Sequence, residues 1–272
     1  MSLRWARAVA EAARGLVDLF LPSLCPLCGR RRPETGSRPL CPACAGRLRP
    51  PAEPWCPVCA VPFPGTGPSH PCPRCREDPP PFHRLRARAL YEGAAADLIQ
   101  AMKFSGRLEV RSALVDLAVQ AALEHYADAP YAAVVPVPPA PAALRRRGFD
   151  LPGILSRGLA RHLRAPWRPH ALSKDPGAPE LLGRGAAARL RIAARAYRPA
   201  EPLTGPVLLV DDVATTTATA RACARACREA GADRVDVLVL ARTPTAGSPV
   251  PGATGPEIAE IARDPAGHGR PG

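Results

Sequence analysis

The stretch that decides the fold is residues 207–219, which read VLLVDDVATTTAT. Its apolar start predicts a buried strand at Val207–Val210, and a helix is predicted from about Ala218 to Ala230. A second apolar strand is predicted at Val235–Ala241. Strand, loop, helix and strand together form a βαβ unit, which implies a parallel sheet whose ligand edge lies at the carboxyl ends of the strands. The predicted fold class is therefore α/β.

The loop between this strand and helix is predicted to bind an anion. A strand-to-helix turn directs free N–H groups and the helix dipole at one point, and hydroxyl groups there add further donors. Six of the nine residues from 211 to 219 are Asp or Thr: Asp211, Asp212, Thr215, Thr216, Thr217 and Thr219. The two carboxylates would repel a phosphate, so they suit sugar hydroxyls or a hydrated Mg²⁺. Helix capping, the alternative, accounts for one or two of these residues but not for six.

Segments upstream of this unit supply further elements of the same core. A proline linker at Pro79–Pro81 precedes a region whose apolar residues follow helical spacing in some places and form buried strands in others. The predicted elements are helices at Tyr91–Lys103, Val110–Glu124 and Leu151–Leu163, a strand at Ala132–Val137 and a short helix near Ala186–Ala196.

Eight cysteines form an internal repeat in which each of the first four recurs 31 residues later. Each half has the form Cys-Pro-x-Cys, twelve residues, Cys-Pro-x-Cys, so two knuckles can bring four thiolates to one Zn²⁺. The predicted ligand sets are Cys25, Cys28, Cys41 and Cys44 for one ion and Cys56, Cys59, Cys72 and Cys75 for the other. Four ligands leave no open position for a catalytic water, so both ions are predicted to be structural.

Several alternatives for the cysteines stay open at this point. Interleaved ligation and iron–sulfur ligation use the same ligands, although two identical copies with regular spacing favour zinc. A thioredoxin-like redox pair is disfavoured because four pairs stand together ahead of the α/β region. His70 is close enough to Cys72 to replace a thiolate, but we expect a loop residue without a ligand role. Cys223 and Cys227 are expected to be core residues.

The charge of the chain is strongly positive and unevenly distributed. The net charge is +13, and residues 1–90 hold 14 Lys or Arg against 6 Asp or Glu, a balance of +8. Such a surface is suited to a polyanion, with nucleic acid as the natural partner. The alternative is a basic face that serves only solubility.

The N-terminal region bears on localisation. No run of eighteen apolar residues exists, so a membrane-spanning helix is excluded on length. Residues 1–22 predict an amphipathic helix for packing or docking, with membrane-surface contact as the alternative, and Glu11 and Asp18 interrupt any signal-peptide core. Closely paired thiolates without an export signal indicate the cytoplasm.

The predicted organisation of the chain is the amphipathic helix at 1–22, a zinc module at 23–80, an α/β domain at 88–242 and a disordered Pro- and Gly-rich tail at 243–272.

The acidic and Thr-rich loop resembles the phosphoribosyl-pyrophosphate loop of type I phosphoribosyltransferases, in which two acids and two variable residues precede Thr-Thr-Gly-x-Thr. Thr217 stands at the glycine position, where positive φ is expected and a β-branched residue is poorly tolerated. Together with the zinc knuckles, roughly residues 15–242 resemble the ComF family. Three further segments carry this resemblance: Tyr91–Gly93 with Met102–Phe104, Val135–Pro138 with Arg146–Phe149, and Pro179–Tyr197 with Arg189, Ala196 and Tyr197. Asp150, Leu151 and Ile192 depart from the family's Asn, Gln and Asn.

The resemblance implies a type I phosphoribosyltransferase-like sheet behind a double zinc ribbon. Asp211 and Asp212 would hold ribose hydroxyls, residues 215–219 the 5′-phosphate, and Arg147 the pyrophosphate, with Mg²⁺ present if the chain is an active enzyme. Arg145–Arg147 can also be read as a solvated run of charge. The family is associated with uptake of single-stranded DNA in natural transformation, beside a helicase-like partner. Three functions follow: a nucleic-acid or partner-binding protein, a phosphoribosyltransferase acting on a nucleobase or amine in salvage, or a structural adaptor.

Overall fold

The computed structural model describes residues 24–32, 39–127, 129–177 and 196–244. The predicted N-terminal helix of residues 1–22, most of the predicted helix near 186–196 and the predicted tail beyond residue 244 lie outside the described residues. The segment around Arg189 and Ile192 lies outside them as well. Among the helices that are described, none has the length and hydropathy needed to cross a membrane.

The core is a four-stranded parallel sheet, as predicted from the βαβ unit. Its strands run in the order β1, β6, β5, β2, and every neighbouring pair is parallel. A separate antiparallel pair, β3 with β4, lies outside this sheet. The strand bounds are β1 Arg84–Leu90, β2 Ala133–Pro136, β3 Leu172–Lys174, β4 Tyr197–Pro199, β5 Pro206–Ala214 and β6 Arg234–Arg242.

The helices follow the predicted spacing closely. Their bounds are α1 Pro42–Ala45, α2 Pro73–Glu77, α3 Gly93–Ser105, α4 Arg111–Tyr126, α5 Pro141–Arg147, α6 Leu151–Leu163 and α7 Ala218–Glu229, with a 3-10 turn at Leu108–Val110. The helices predicted at 91–103, 110–124, 151–163 and 218–230 correspond to α3, α4, α6 and α7. Strands β1, β3 and β4 and helices α1, α2 and α5 were not predicted.

Strand β5 is longer than its apolar run. The sequence predicted that it ends at Val210, but β5 continues to Ala214 because β6 pairs with it in register as far as Arg242. Asp211 lies opposite Val239 in this ladder. The two acidic residues therefore stand on the carboxyl end of the strand itself rather than in the loop that follows.

The two cysteine repeats adopt the same local structure and pack on opposite faces of the sheet. Each repeat has an isolated antiparallel bridge, Leu24 with Arg31 and Trp55 with Pro62, and a short helix that begins with proline after a cysteine. The first repeat shares a core with Leu208, Leu238 and helices α3, α4 and α6, whereas the second shares a core with Leu209 and α7. Alternating β5 residues face opposite sides of the sheet, so each ribbon completes one of its two cores.

The first ribbon meets α3 at a point of close backbone approach. Gly93 has φ +51°, and a Cβ at this position would lie 2.6 Å from the carbonyl oxygen of Arg47. The Arg47 side chain also pairs with Asp97 on α3, Nη2 to Oδ2, at 2.5 Å. Gly106 has a similar φ of +62° at the end of α3, but nothing lies within 4 Å of the Cβ it would carry.

These two glycines allow a matched test of ribbon docking. Gly106→Ala is expected to lower the free energy of unfolding by about 1 kcal/mol, the cost of a left-handed residue with a side chain. Gly93→Ala is expected to cost about 3 kcal/mol, because the same strain is joined by a collision with the ribbon backbone. Denaturant unfolding of both variants measures the difference, and equal losses would mean that the first ribbon is not held against α3.

Candidate functional site

The four cysteines of each repeat converge on one point. Within each set, the sulfur atoms all lie within 4.8 Å of one another. In the first set, the Cys28 and Cys41 sulfurs are 3.6 Å apart and the Cys41 amide donates to the Cys25 sulfur at 3.5 Å. This adjacent grouping is the predicted one, and interleaved ligation is excluded.

The second set repeats this geometry and fits the same metal. The Cys59 and Cys72 sulfurs are 3.8 Å apart, and the Cys72 amide donates to the Cys56 sulfur at 3.3 Å. All of these cysteines are free thiols rather than disulfides. A tetrahedral Zn²⁺ with Zn–S bonds of about 2.3 Å needs sulfurs about 3.8 Å apart, so both sets fit one Zn²⁺ each. The ions would be held by four thiolates, as structural sites require.

The remaining candidate ligands take no part in these sites. His70 stacks on the ring of Phe63, with ring centres 4.5 Å apart, and its Nδ1 lies 3.1 Å from the carbonyl oxygen of Pro68. Cys223 and Cys227 lie on the buried face of α7, and burial raises the pKa of both thiols. Both predictions, a loop histidine and two core cysteines, agree with this arrangement.

The Thr-rich loop turns through a residue in the left-handed region. Thr217 has φ +58° and ψ 9° directly before α7, at the position where the phosphoribosyl-pyrophosphate loop carries glycine. The backbone thus keeps the conformation that glycine favours although a β-branched residue occupies it, at a cost on the order of 1 kcal/mol. The residue is 5% exposed, and its side chain makes no capping hydrogen bond to the helix.

Two arginines hold the loop from the side of the second zinc ribbon. Arg242, at the end of β6, donates from Nη1 to the carbonyl of Ala214 at 3.0 Å and to that of Thr215. Arg74, on α2, donates from Nη1 to the carbonyl of Thr216 at 2.6 Å. With these carbonyls engaged by the ribbon side, the amides of Thr216 and Thr217 meet no protein acceptor within the described ranges. Main-chain amides without a protein acceptor are the groups an anion would use.

The acidic residues form a cluster with one lysine. Lys103 Nζ, at the end of α3, lies 2.6 Å from Asp212 Oδ2, and both side chains are less than a fifth exposed. Loss of water around Asp211, together with the neighbouring Asp212 carboxylate, raises the pKa of Asp211 above that of an ordinary carboxyl group. Burial also raises the pKa of Asp150 to about 6, with a smaller contribution from Asp212. The end of β5 consequently carries less negative charge than two unpaired, ionised carboxylates would.

A second lysine lies on the opposite flank of the loop. Lys174 Nζ is 5.2 Å from the ring centre of Tyr197, and the Tyr197 side chain interacts with that of Thr219. Lys103 and Lys174 are the two lysines of a chain whose 37 basic residues are otherwise arginine. Sequence reasoning did not assign either lysine to the site, although their rarity was a usable signal. Arg74 and Arg242 were missed as well, and no local pattern marks them, whereas Asp150 was noted only as a departure from the family's Asn.

Arg147 is a predicted site residue that the structure does not bring into contact with the Thr-rich loop. Its guanidinium carbon lies 5.6 Å from the centre of the Phe104 ring, at the end of α5. No contact among the described residues joins Arg147 to the Thr-rich loop. Its proposed role toward pyrophosphate therefore stays a prediction.

The zinc assignment has a direct test in metal content. The purified chain is expected to hold two Zn²⁺, one for each four-cysteine group. Cys59→Ser should lower this to one, because three thiolates and a hydroxyl bind Zn²⁺ more weakly. Mass spectrometry of metal content measures both, with Cys223→Ala as a control that keeps two. Iron in place of zinc, or an unchanged content in Cys59→Ser, would contradict the assignment.

A match to a known protein family agrees with the geometry of the cysteine sites. A family model described as a double zinc ribbon domain matches residues 16–76, which favours zinc over iron–sulfur ligation. Two solved structures resemble the chain weakly. The first is the allosteric regulatory enzyme of purine biosynthesis, with 22% identity over 48% of this chain and a TM-score of 0.33. The other is glutamine phosphoribosylpyrophosphate amidotransferase from B. subtilis in complex with ADP and GMP, with 20% identity over 52% and a TM-score of 0.36. The chain covers 26% and 30% of their lengths.

Sequence relatives cover more of the chain. The DNA utilization protein YhgH of Escherichia coli (strain K12) is 32% identical over 174 residues, which span 62% of this chain and 77% of that protein. The DNA utilization protein YhgH of Salmonella typhimurium is 32% identical over 224 residues, 81% of this chain and 90% of that protein. With a double zinc ribbon, a parallel α/β sheet and relatives matched over most of their length, the chain belongs to the ComF family, that of the DNA utilization protein YhgH.

Proposed function

We propose that this protein acts in the use or uptake of DNA by binding single-stranded nucleic acid. The observation that carries the proposal is its 32% identity to relatives that are named DNA utilization proteins. The net charge of +13 supports it, because a polyanion gains most of its affinity from phosphate contacts with Lys and Arg. We propose the cytoplasm as its location, since eight zinc-binding thiolates are kept reduced there. A helicase-like competence protein is the proposed partner.

Full-length protein is the appropriate material for a binding test. The second ribbon shares its core with α7 and the sheet, so an isolated zinc module would expose that apolar surface. Two arginines of the zinc module, Arg47 and Arg74, are also engaged within the fold, by Asp97 and by the Thr216 carbonyl. The charge of the module is thus partly structural.

The full chain is expected to bind a fluorescein-labelled oligothymidylate with an affinity that falls steeply with salt. Neutralising three or more phosphates on a single strand gives a slope of log affinity against log salt of about −2 or steeper. Fluorescence anisotropy between about 0.05 and 0.2 M salt measures this slope. A duplex of the same length is the comparison, and absent or salt-independent binding of the single strand would overturn the proposal.

We propose that the strand end and the Thr-rich loop form a pocket for a phosphoribosyl pyrophosphate-type ligand. Main-chain amides without acceptors and the hydroxyls of residues 215–219 suit the 5′-phosphate, while Asp211 and Asp212 suit ribose hydroxyls or Mg²⁺. Lys103 already pairs with Asp212, so it offsets negative charge where a pyrophosphate would lie. In a DNA-binding protein this pocket would act as a sensor or a scaffold.

The alternative function is a phosphoribosyltransferase that uses the same pocket for nucleobase or amine salvage. The surviving pair of acids on β5 is the observation that favours it. Such an enzyme needs no side-chain nucleophile, because the rate enhancement comes from positioning the reactants and from stabilising the charge that develops in the transition state. Time-dependent pyrophosphate release with an added base separates turnover from binding, and a structural adaptor would show neither.

Calorimetry tests the pocket itself. Wild-type protein is expected to release heat on titration with phosphoribosyl pyrophosphate and Mg²⁺, and Asp211→Asn with Asp212→Asn should weaken binding at least about tenfold, the cost of losing two hydrogen bonds or one metal contact. Asp233→Asn, at an exposed position before β6, is the matched control and should bind as the wild type does. No heat with the wild-type protein would refute the pocket.

A further inference from the structure

A row of arginines lies on the outer face of α6. Arg157, Arg161 and Arg164 are spaced by four and three residues, so they share one side of the helix and its end. All three are exposed, and with Trp167 they line a shallow surface cavity of about 280 Å³. We call this the α6 surface. It spans on the order of 10 Å along the helix axis.

The α6 surface is not neutralised. Residues 151–168 contain no Asp or Glu, and among the described residues no carboxylate pairs with Arg157, Arg161 or Arg164. Arg168, one residue beyond the surface, is paired with Glu201 at 2.9 Å. Three adjacent, exposed and unpaired cations repel one another, so their spacing favours a ligand with several negative charges.

Contacts with buried residues hold Trp167 in place at this surface. Its indole Nε1 donates to Ser156 Oγ at 3.0 Å, and Ser156 is fully buried. Its backbone pairs with Val134 at the edge of the sheet, while 36% of the residue stays exposed. The Arg157 guanidinium lies 5.5 Å from the ring centre. An aromatic ring that is fixed in orientation and open to solvent among cations is a stacking platform for a base.

We propose that the α6 surface binds single-stranded nucleic acid, with backbone phosphates on Arg157, Arg161 and Arg164 and an unpaired base stacked on Trp167. This inference rests on the proposed nucleic-acid function and assigns a place to it. The surface is separate from the phosphoribosyl-type pocket, because Trp167 pairs with Val134 near the start of β2 whereas the Thr-rich loop follows the end of β5. A duplex keeps its bases stacked, so the exposed ring favours a single strand.

Charge reversal on α6 tests the phosphate contacts. Arg161→Glu with Arg164→Glu is expected to lower the affinity of the full chain for labelled oligothymidylate at least about tenfold and to make the salt slope about 1.4 less negative, the share of two contacts. Arg111→Glu with Arg225→Glu changes the net charge equally at two exposed positions on α4 and α7. This control should lose far less affinity, and equal losses in both variants would overturn the α6 assignment.

Substitution of Trp167 tests whether a base stacks on its ring. Trp167→Ala is expected to weaken oligothymidylate binding about five- to a hundredfold, whereas Trp167→Phe keeps an aromatic ring and should retain most of the affinity. Quenching of tryptophan fluorescence by the oligonucleotide should be smaller in Trp167→Phe than in the wild type. A thermal melt of each variant checks that it is folded, and unchanged quenching and affinity in a folded Trp167→Ala would refute the platform.

The outcomes separate the two proposals. If the wild-type chain does not bind oligothymidylate, the proposed function fails. If it binds but the α6 variants bind equally well, only the α6 inference fails. Vesicles of phosphatidylglycerol form a second arm, because an anionic membrane would also attract these arginines. Loss of vesicle binding with intact oligothymidylate binding in Arg161→Glu, Arg164→Glu would make the surface a lipid site and overturn the inference.

Discussion

The buried guanidinium of Arg242 joins the zinc ribbon, the sheet and the Thr-rich loop at one point. It donates from Nε to the carbonyl of Cys59 at 3.0 Å and from Nη1 to the carbonyls of Ala214, Thr215 and Thr243. Burial lowers the pKa of this guanidinium, and carbonyls that accept from the cation offset that loss of hydration. Removing the side chain would leave the buried carbonyl of Cys59 without this donor, a cost of about 1–3 kcal/mol, whereas the Ala214 carbonyl would keep its bond from the Thr243 amide.

The metal sites are therefore coupled to the candidate ligand loop through the backbone. Cys59 is both a zinc ligand and the residue whose carbonyl meets Arg242, and Arg74 lies between the zinc ligands Cys72 and Cys75 while holding Thr216. Zinc fixes the ribbon because so short a segment cannot bury enough apolar surface to fold alone. The left-handed turn at Thr217 is in this way imposed from outside the loop, which explains how a β-branched residue is kept there.

The sequence predicted the parts of this arrangement that depend on local pattern. Both four-cysteine groups, the βαβ unit and the helices α3, α4 and α6 follow from spacing and periodicity. Strand β1 was missed although the alternation of Arg with apolar residues in RLRARAL is the pattern of a half-buried strand. The Arg86 guanidinium is 4.7 Å from the centre of the Trp55 ring instead of in open solvent. Contacts such as Arg74 with Thr216 join residues 142 positions apart, so no local pattern reports them. The end of β5 was placed early for the same reason, since pairing with β6 extends it.

The positive charge of the chain divides into arginines that hold the fold and arginines that do not. Arg221 is 5% exposed and donates to the side chain and carbonyl of Asp78, and Arg74 and Arg242 are committed to loop carbonyls. A count of charge along the sequence weights all of these equally, and so it points to the zinc region as the most basic part. A polyanion binds mainly to cations that are exposed and unpaired. A cation that is already paired within the fold adds little affinity, because few counterions are released when it contacts a phosphate. The location of such charge, on α6 beside a fixed indole, is thus a stronger guide to the nucleic-acid surface than the excess of base in the first 90 residues.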